Sequence, residues 1–196
     1  MTVETHPLTP FLPAGARILF LGSFPPPRAR WSMDFFYPNW INDFWRVMGL
    51  LFFDDKAHFE IKGEKRFDKE RIAGFAMEQG LAFFDTATKV RRLRDNASDN
   101  YLEVIEPTDI GALLARMPQC HRLVTTGGKA SDELLQQLSA AVAADGGHLI
   151  EMPAIGSFTE LHAFERSLRW YRMPSTSRAY PLALEKKAAC YRCLFE

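Results

Sequence analysis

The sequence predicts an α/β protein, a three-layer α/β/α sandwich around a central, mainly parallel sheet of four to five strands. Two observations predict it. Short apolar runs without alternation recur along the chain, which is typical of strands buried on both faces of a sheet. Between these runs stand patterns with apolar residues at i, i+3, i+4 and i+7, the spacing of helices with one buried face. Strands that alternate with helices form mainly parallel sheets covered by helices.

Five segments predict the strands, and each ends at a polar turn or a proline. The segments that contain the predicted strands and the turns that end them are residues 18–21, 80–87, 121–130, 147–153 and 167–177. The predicted helices occupy residues 42–52, 67–80, 107–118, 129–147 and 181–195. Ligands of such sheets bind at the carboxyl ends of the strands, so the loops after the strands are the places to look for a site. These loops are residues 22–27, 85–96, 125–130 and 173–180.

The composition is that of an ordinary globular protein, with 196 residues of which 47% are hydrophobic and 24% charged. A chain of this length fits one domain, predicted to span residues 1–196. We see no signal peptide, and no stretch approaches the roughly 20 apolar residues that span a bilayer. We therefore expect a cytoplasmic protein with no membrane association. The sequence implies no obligate protein partner.

The cysteines and the glycine-rich turn predict neither a metal nor a cofactor. Cys190 and Cys193 have the spacing of half a metal site, but a structural zinc or iron–sulfur centre normally needs four ligands. Cys120 and its neighbour His121 do not complete the set. The turn TTGGKA, residues 125–130, lacks the full spacing of a phosphate-binding P-loop, so we interpret it as a strand-to-helix turn.

The net charge is zero, which argues against a protein that coats nucleic acid without specificity. The basic residues are nevertheless concentrated in two runs. Residues 89–94, KVRRLR, are basic at four of six positions, and residues 166–184 contain four arginines and no acid. Charge on one face can attract a polyanion even when the total cancels, whereas a solvated basic helix face is the alternative.

Residues 35–45, FFYPNWINDFW, hold six aromatic side chains, two asparagines and an aspartate. They follow the loop GSFPPP, in which a glycine directly after a strand allows a ligand to approach the backbone closely. Aromatic faces beside an amide suit a planar heterocycle, because the rings stack on it and the amide contacts its edge. Phe44 and Trp45 fit a helix core, while Phe36 and Tyr37, ahead of the helix, are candidates for stacking on a ligand.

A second loop offers groups suited to phosphate. MPSTSRAY, residues 173–180, places three hydroxyl residues after a proline at the end of a predicted strand, with Arg178 beside them. Backbone N–H groups, hydroxyls and a guanidinium are typical donors to phosphate oxygens. Turns rich in serine and threonine also cap helices in many proteins, so this loop alone identifies nothing.

The order of these features resembles the uracil-DNA glycosylase superfamily, closest to its mismatch-specific and hypoxanthine-DNA glycosylase branches. That family has a G-x-x-P loop, an N-x-F-W helix start and a late serine-containing loop in this order, which here are GSFP, NDFW and PSTS. The resemblance covers about residues 16–190. It implies a monofunctional glycosylase of base-excision DNA repair, which hydrolyses the glycosidic bond of a deaminated or mismatched base, uracil or hypoxanthine, after flipping it out of DNA.

The resemblance also implies roles for individual residues. Asn42, in the N-x-F-W element, would orient the attacking water, and the neighbouring Asn39 remains an alternative. The predicted base-binding residues are Gly22, Ser23, Phe24, Phe36 and Tyr37. The predicted DNA-binding residues are Ser175, Thr176, Ser177 and Arg178, the last at the position of the wedge that fills the emptied base stack. No metal or cofactor is implied, and DNA with a damaged or mismatched base is the implied partner.

Two departures from the family pattern favour a rival interpretation. Phe24 stands where many members have a catalytic asparagine, and Met173 stands where several branches have a histidine or asparagine. The rival is a catalytically silent module that binds nucleic acid or nucleotides, and a third possibility is an unrelated hydrolase of small nucleosides. Three carboxylates near the predicted site, those of Asp34, Asp43 and Asp85, are alternative general bases.

Overall fold

The computed structural model describes residues 2–93 and 101–196. Within them the strands are β1 (Val3–Thr5), β2 (Ile18–Gly22), β3 (Leu81–Asp85), β4 (Ala87–Arg92), β5 (Leu102–Pro107), β6 (Arg122–Thr126), β7 (Ser157–Ala163) and β8 (Arg166–Met173). The helices are α1 (Phe44–Phe53), α2 (Lys69–Gln79), α3 (Ile110–Ala115), α4 (Gly128–Ala144) and α5 (Leu184–Tyr191). In this part of the chain, no helix is long and apolar enough to cross a membrane.

The central sheet has five strands in the order β3-β2-β6-β8-β7. The first four are parallel, and only β7 runs antiparallel to its neighbour β8. Helices flank the sheet, α1 packs on α5, and α4 packs on β6 and β7. The predicted α/β class with a mainly parallel central sheet is therefore confirmed.

Aromatic rings bind α1 to the central sheet. Phe20 of β2 and Phe83 of β3 stack with their ring centroids 5.4 Å apart. Phe44 of α1 meets Phe20 edge-on at 5.2 Å, and the adjacent Trp45 ring lies 5.5 Å from Phe83. These side chains are fully buried, as the helix pattern predicted for Phe44 and Trp45. Ring packing of this kind adds to the stabilisation from burial of apolar area and holds α1 against the sheet.

The fourth predicted strand is wrong. Residues 147–153 form no regular structure, and Leu149 in that segment is 94% exposed. The chain instead forms β7 at Ser157–Ala163, where buried and exposed residues alternate. An edge strand has one solvated face, so its sequence alternates and lacks the continuous apolar run used to predict the other strands.

A second sheet was not predicted. It is antiparallel, with three strands in the order β1-β4-β5. Its central strand β4 occupies part of residues 85–96, which were predicted to be a loop, and residues 94–96 of that prediction lie outside the described residues. The described cations of the first basic run are paired with glutamates of the neighbouring strands, in the ion pairs Lys89–Glu106, Arg91–Glu103 and Arg92–Glu4. Much of that run's charge is therefore balanced within the sheet.

Candidate functional site

Four parallel strands of the central sheet end at the same edge. Their last residues are Gly22, Asp85, Thr126 and Met173, in β2, β3, β6 and β8. The predicted turn at residues 125–130 joins β6 to α4 and is the strand-to-helix turn that its sequence indicated. The carboxyl edge of a parallel sheet is where α/β proteins bind ligands.

The aromatic segment, residues 35–45, and the hydroxyl-rich turn, residues 173–180, meet at this edge, although Asp43 and Arg178 are 135 residues apart in the sequence. The backbone N–H of Asp43 donates to the carbonyl of Thr176 at 2.9 Å. The Asp43 carboxylate accepts from Lys187 Nζ at 2.9 Å and from Arg178 Nε at 3.3 Å. Lys187 Nζ also donates to the carbonyl of Ser177 at 2.9 Å. One buried carboxylate and one buried lysine thus join the start of α1, the turn and α5.

The turn itself uses its serines to hold its own backbone. The hydroxyls of Ser175 and Ser177 accept hydrogen bonds from the N–H groups of Ser177 and Ala179, each at 3.2 Å. Among residues 2–93 and 101–196, no group accepts a hydrogen bond from the N–H of Ser175, Thr176 or Arg178. Consecutive free N–H groups beside a half-exposed guanidinium form an arrangement that suits an anion.

Asn42 is half-buried and lies two residues before the start of α1. Its Oδ1 accepts from the N–H of Phe44 at 2.9 Å, an Asx turn that opens the helix. Arg46, which is ion-paired with Glu60 at 2.7 Å, donates to the carbonyls of Trp40 and Asn42. The amide oxygen of Asn42 keeps a second lone pair, so the side chain can still accept a hydrogen bond from a water.

Two of the remaining sequence alternatives have local roles. Asn39 accepts from the N–H of Ile41 at 3.2 Å, and Asp34 is exposed and paired with Arg28. The carboxylate of Asp43 is occupied by its two cations. The contacts of Asn39, Asp34 and Asp43 are structural hydrogen bonds and ion pairs, and none of them indicates a catalytic role.

Tyr37 lies between the aromatic segment and the strand ends. Its backbone is left-handed, with φ of 52°, and its hydroxyl is hydrogen-bonded to Thr126 Oγ1 at 2.8 Å. Its ring stacks on Phe44 with the centroids 3.8 Å apart and the planes within 3°. Burial raises the pKa of the Tyr37 hydroxyl well above its ordinary value, and the charge of Asp85 adds to this while the bond to Thr126 opposes it. The hydroxyl therefore stays protonated at neutral pH.

The other predicted base-binding residues differ in accessibility. Gly22 and Ser23 are half-buried, as is Tyr37. Phe36 is buried and stacks on Phe83 at 5.9 Å. Phe24 is buried in a small apolar cluster beneath the second sheet, whose members are Phe24, Ala87, Val90 and Leu102. A contact between a base and the Phe24 ring would thus require that cluster to open, and the binding roles remain predictions.

A histidine that the sequence analysis overlooked completes this edge. His6 Nε2 lies 3.0 Å from Asp85 Oδ2, and the imidazole is 3% exposed. His6 follows β1, and its N–H donates to the carbonyl of Thr88 at 2.8 Å, next to β4. Pairing of β1 with β4 therefore brings His6 to Asp85, 79 residues away. No periodicity or spacing around His6 signals this contact.

The arginines of the second basic run are mostly occupied elsewhere. Arg166 and Arg172 donate to backbone carbonyls, and Arg169 is paired with Glu160. Arg178 is the member of the run that lies at the turn. Within the described residues, no three histidine, cysteine, aspartate or glutamate side chains are grouped to hold a metal ion.

Comparisons with known proteins identify the fold. No family model matches the chain, and no curated protein matches it in sequence. Solved structures do match, among them the NMR solution structure of a protein from Methanosarcina acetivorans that is provisionally assigned as a uracil DNA glycosylase. That match has a TM-score of 0.62 and 17% sequence identity and covers 100% of both chains. The chain therefore has a glycosylase-like α/β fold.

Proposed function

We propose that this protein is a monofunctional DNA glycosylase of the uracil-DNA glycosylase superfamily, from its mismatch-specific or hypoxanthine-type branches. It hydrolyses the N-glycosidic bond of a deaminated or mismatched base after the base has been flipped out of the duplex. The observation that carries the proposal is the 2.9 Å hydrogen bond from the N–H of Asp43 to the carbonyl of Thr176. Because Asp43 is the residue next to Asn42, this bond supports a site that the Asn42 amide and the hydroxyl-rich turn share.

The aromatic side of the site suits the flipped base. One face of the Tyr37 ring is covered by Phe44, and the residue is half-buried, so its position supports stacking against a base. Stacking of this kind contributes about 1–3 kcal/mol per base. As the glycosidic bond breaks, positive charge develops on the sugar and negative charge on the base, and hydrogen-bond donors near the base stabilise that charge. Asn42 orients the water that attacks the sugar.

The turn suits the DNA backbone. Free N–H groups at Ser175, Thr176 and Arg178 together with the Arg178 guanidinium support a role in holding a phosphate next to the flipped nucleotide. Such contacts fix the register of the duplex without reading its sequence. They also predict that binding weakens steeply as salt rises.

The environment of Lys187 supports a monofunctional mechanism. A lysine that attacks the sugar must present a free amine as nucleophile. Lys187 is the lysine at this junction, it is 1% exposed, and its Nζ is bound to the Asp43 carboxylate and the Ser177 carbonyl. Borohydride should therefore trap no covalent complex between the protein and damaged DNA.

A panel of damaged duplexes tests the proposed function. Purified protein is incubated with duplexes that contain uracil, hypoxanthine or xanthine, and alkali then cleaves the abasic sites. We expect cleaved product for at least one lesion, loss of product in Asn42→Ala, and retention of product in the matched control Asn39→Ala. Tight binding without product for every lesion would instead indicate the silent module. Cleavage of free nucleosides without any dependence on salt would indicate the small-molecule hydrolase.

A further inference from the structure

We propose that Asp85, held in place by His6, accepts the proton of the water that attacks the sugar. This inference rests on the glycosylase function proposed above. Phe24 stands at the position where many members of the family have an asparagine. The amide of Asn42 can orient a water but cannot take its proton. Asp85 supplies the proton acceptor that the site otherwise lacks.

The Asp85 carboxylate lies at the end of β3 with one oxygen held and the other free. Oδ2 is bound to His6 Nε2 at 3.0 Å, and the side chain is 12% exposed. Among the described residues, no group donates a hydrogen bond to Oδ1. Oδ1 is not fully buried, so at this ligand-binding edge of the sheet it can accept a hydrogen bond from a water or a substrate.

Gly22 gives this carboxylate its position. A Cβ at residue 22 would lie 2.5 Å from Asp85 Oδ1, well inside van der Waals contact. The carboxylate therefore occupies the space that any other residue at position 22 would fill. Because Gly22 is the first residue of the G-x-x-P loop, Oδ1 faces the loop that the sequence predicts to contact the base.

The Asp85 carboxylate does not cap the turn that follows β3. A carboxylate after a strand commonly caps the following turn by accepting backbone N–H bonds. Here the N–H of Thr86 donates to the carbonyl of Gly22 at 2.8 Å, and the partner of the Asp85 carboxylate is a side chain from another part of the chain. The 79-residue separation from His6 makes the pair a product of the tertiary fold.

The surroundings of His6 fix the direction of its hydrogen bond. Its ring is packed among Phe24, Phe36 and Phe84, with centroids 5.2, 6.3 and 4.5 Å away. Nδ1 lies 3.2 Å from the backbone nitrogen of Leu8 and 2.9 Å from the Leu8 carbonyl oxygen. A carboxylate oxygen can only accept a hydrogen bond. Nε2–H then donates to Asp85 and holds the carboxylate still. His6 is a positioning residue, whereas Asp85 meets the reacting water.

The step is balanced without any further reactant. The water oxygen forms a bond to C1′ of the sugar while the C1′–N bond breaks, and the bonding electrons leave with the base. The proton of the water passes to Asp85 Oδ1, and the departing base takes a proton from solvent. Asp85 returns its proton to solvent after the products leave. General base catalysis of this kind contributes typically about 10²–10⁴-fold to a rate.

Single-turnover kinetics on a lesion that the wild type cleaves test the proposal. We expect Asp85→Asn to lower the cleavage rate about 100-fold or more, on the scale of general base catalysis, while the Kd for a duplex with an uncleavable lesion analogue stays within about twofold. The amide keeps an oxygen acceptor for His6, so the fold is preserved. Asp34→Asn, at an exposed aspartate, is the matched control and should retain the wild-type rate. An Asp85→Asn protein with the wild-type rate would overturn the proposal. So would one in which only the preference among lesions changes, because Asp85 would then read the base.

Two substitutions at His6 separate positioning from mere packing. His6→Phe keeps an aromatic ring but no donor, and we expect it to lower the rate by about 10-fold with an unchanged Kd. His6→Gln keeps an N–H donor and should recover part of that loss. Equal rates for His6→Phe and the wild type would overturn the positioning role. If the wild type cleaves no lesion, both proposals fail, whereas cleavage by the wild type and Asp85→Asn alike removes only this one.

Discussion

Two buried carboxylates lie at the same end of the molecule but differ in their hydrogen-bond partners. Asp43 is 8% exposed and Asp85 is 9% exposed. Both oxygens of Asp43 are bound to cations, Oδ1 to Arg178 and Oδ2 to Lys187. Asp85 has one oxygen bound to His6 and one without a donor among the described residues. Their depth is the same, but their hydrogen bonding is not.

The difference indicates which carboxylate is structural and which is reactive. Burial of a charge is unfavourable unless partners compensate it, and Asp43 has full compensation from two cations. Its contacts join α1, the hydroxyl-rich turn and α5, so we assign it to holding the site together. Among the described residues, only one oxygen of the Asp85 carboxylate has a hydrogen-bond donor, which is His6, so the other oxygen can accept a proton.

The largest expected effect on stability comes from Lys187→Met. The substitution keeps a long side chain in the buried position but leaves the Asp43 carboxylate with only the half-exposed Arg178. Removal of one partner of a buried ion pair typically destabilises a protein by about 3–5 kcal/mol. Urea denaturation followed by circular dichroism measures the change. Lys186→Met is the control, because Lys186 lies on the exposed side of α5. It should change stability by less than about 0.5 kcal/mol. Equal stability of the two variants would show that the Asp43 pair is not structural.

Gly22→Ala should have the next largest effect on stability, because the added methyl group would clash with the Asp85 carboxylate. The new methyl group would lie 2.5 Å from Asp85 Oδ1 and would force the carboxylate away from His6. We expect a loss of about 1–3 kcal/mol, the usual scale for overpacking, together with loss of cleavage activity. Gly15→Ala is the matched control, since a Cβ there meets nothing within 4 Å. A Gly22→Ala protein with full activity would mean that the position of Asp85 is unimportant.

Asp85→Asn should change stability little, in contrast to its effect on rate. The amide oxygen can replace Oδ2 as the acceptor for His6, and the other carboxylate oxygen has no described donor to lose. We expect a change below about 1 kcal/mol, whereas Asp43→Asn leaves Lys187 buried without its anion and should cost about 3 kcal/mol or more. Thermal and urea unfolding of the two variants side by side give the comparison. Equal losses of stability in Asp85→Asn and Asp43→Asn would show that both carboxylates have a structural role.

Arg178→Ala should have the smallest effect on stability. Its side chain is half-exposed, and exposed ion pairs contribute only about 0–1 kcal/mol. Its effect should appear in DNA binding, as a weaker affinity and a salt dependence whose slope falls by about one. Arg169→Ala is the control, because that guanidinium is paired with Glu160 away from the turn. An unchanged salt slope in Arg178→Ala would remove this residue from the DNA contacts.

The success of the fold prediction depended on burial. Strands β2 and β3 are covered on both faces, so their sequences contain continuous apolar runs and were recognised. Strand β7 lies at an edge and alternates, so it was missed, while the apolar residues near Leu149 were taken for a strand although they are exposed. A continuous apolar run marks only those strands whose two faces are both covered.

The sequence by itself determined which loops carry rings, amides and hydroxyls, and that these loops follow parallel strands. Parallel strands bring their carboxyl ends to one edge, so the meeting of residues 35–45 with the turn at Thr176 followed from the order of the elements. Only the tertiary structure decided which carboxylate is held by cations and which by a histidine. The pairing of β1 with β4 and the position of Lys187 on α5 set those partners. Contacts of that range come from packing and register between distant segments, and no local pattern of residues encodes them.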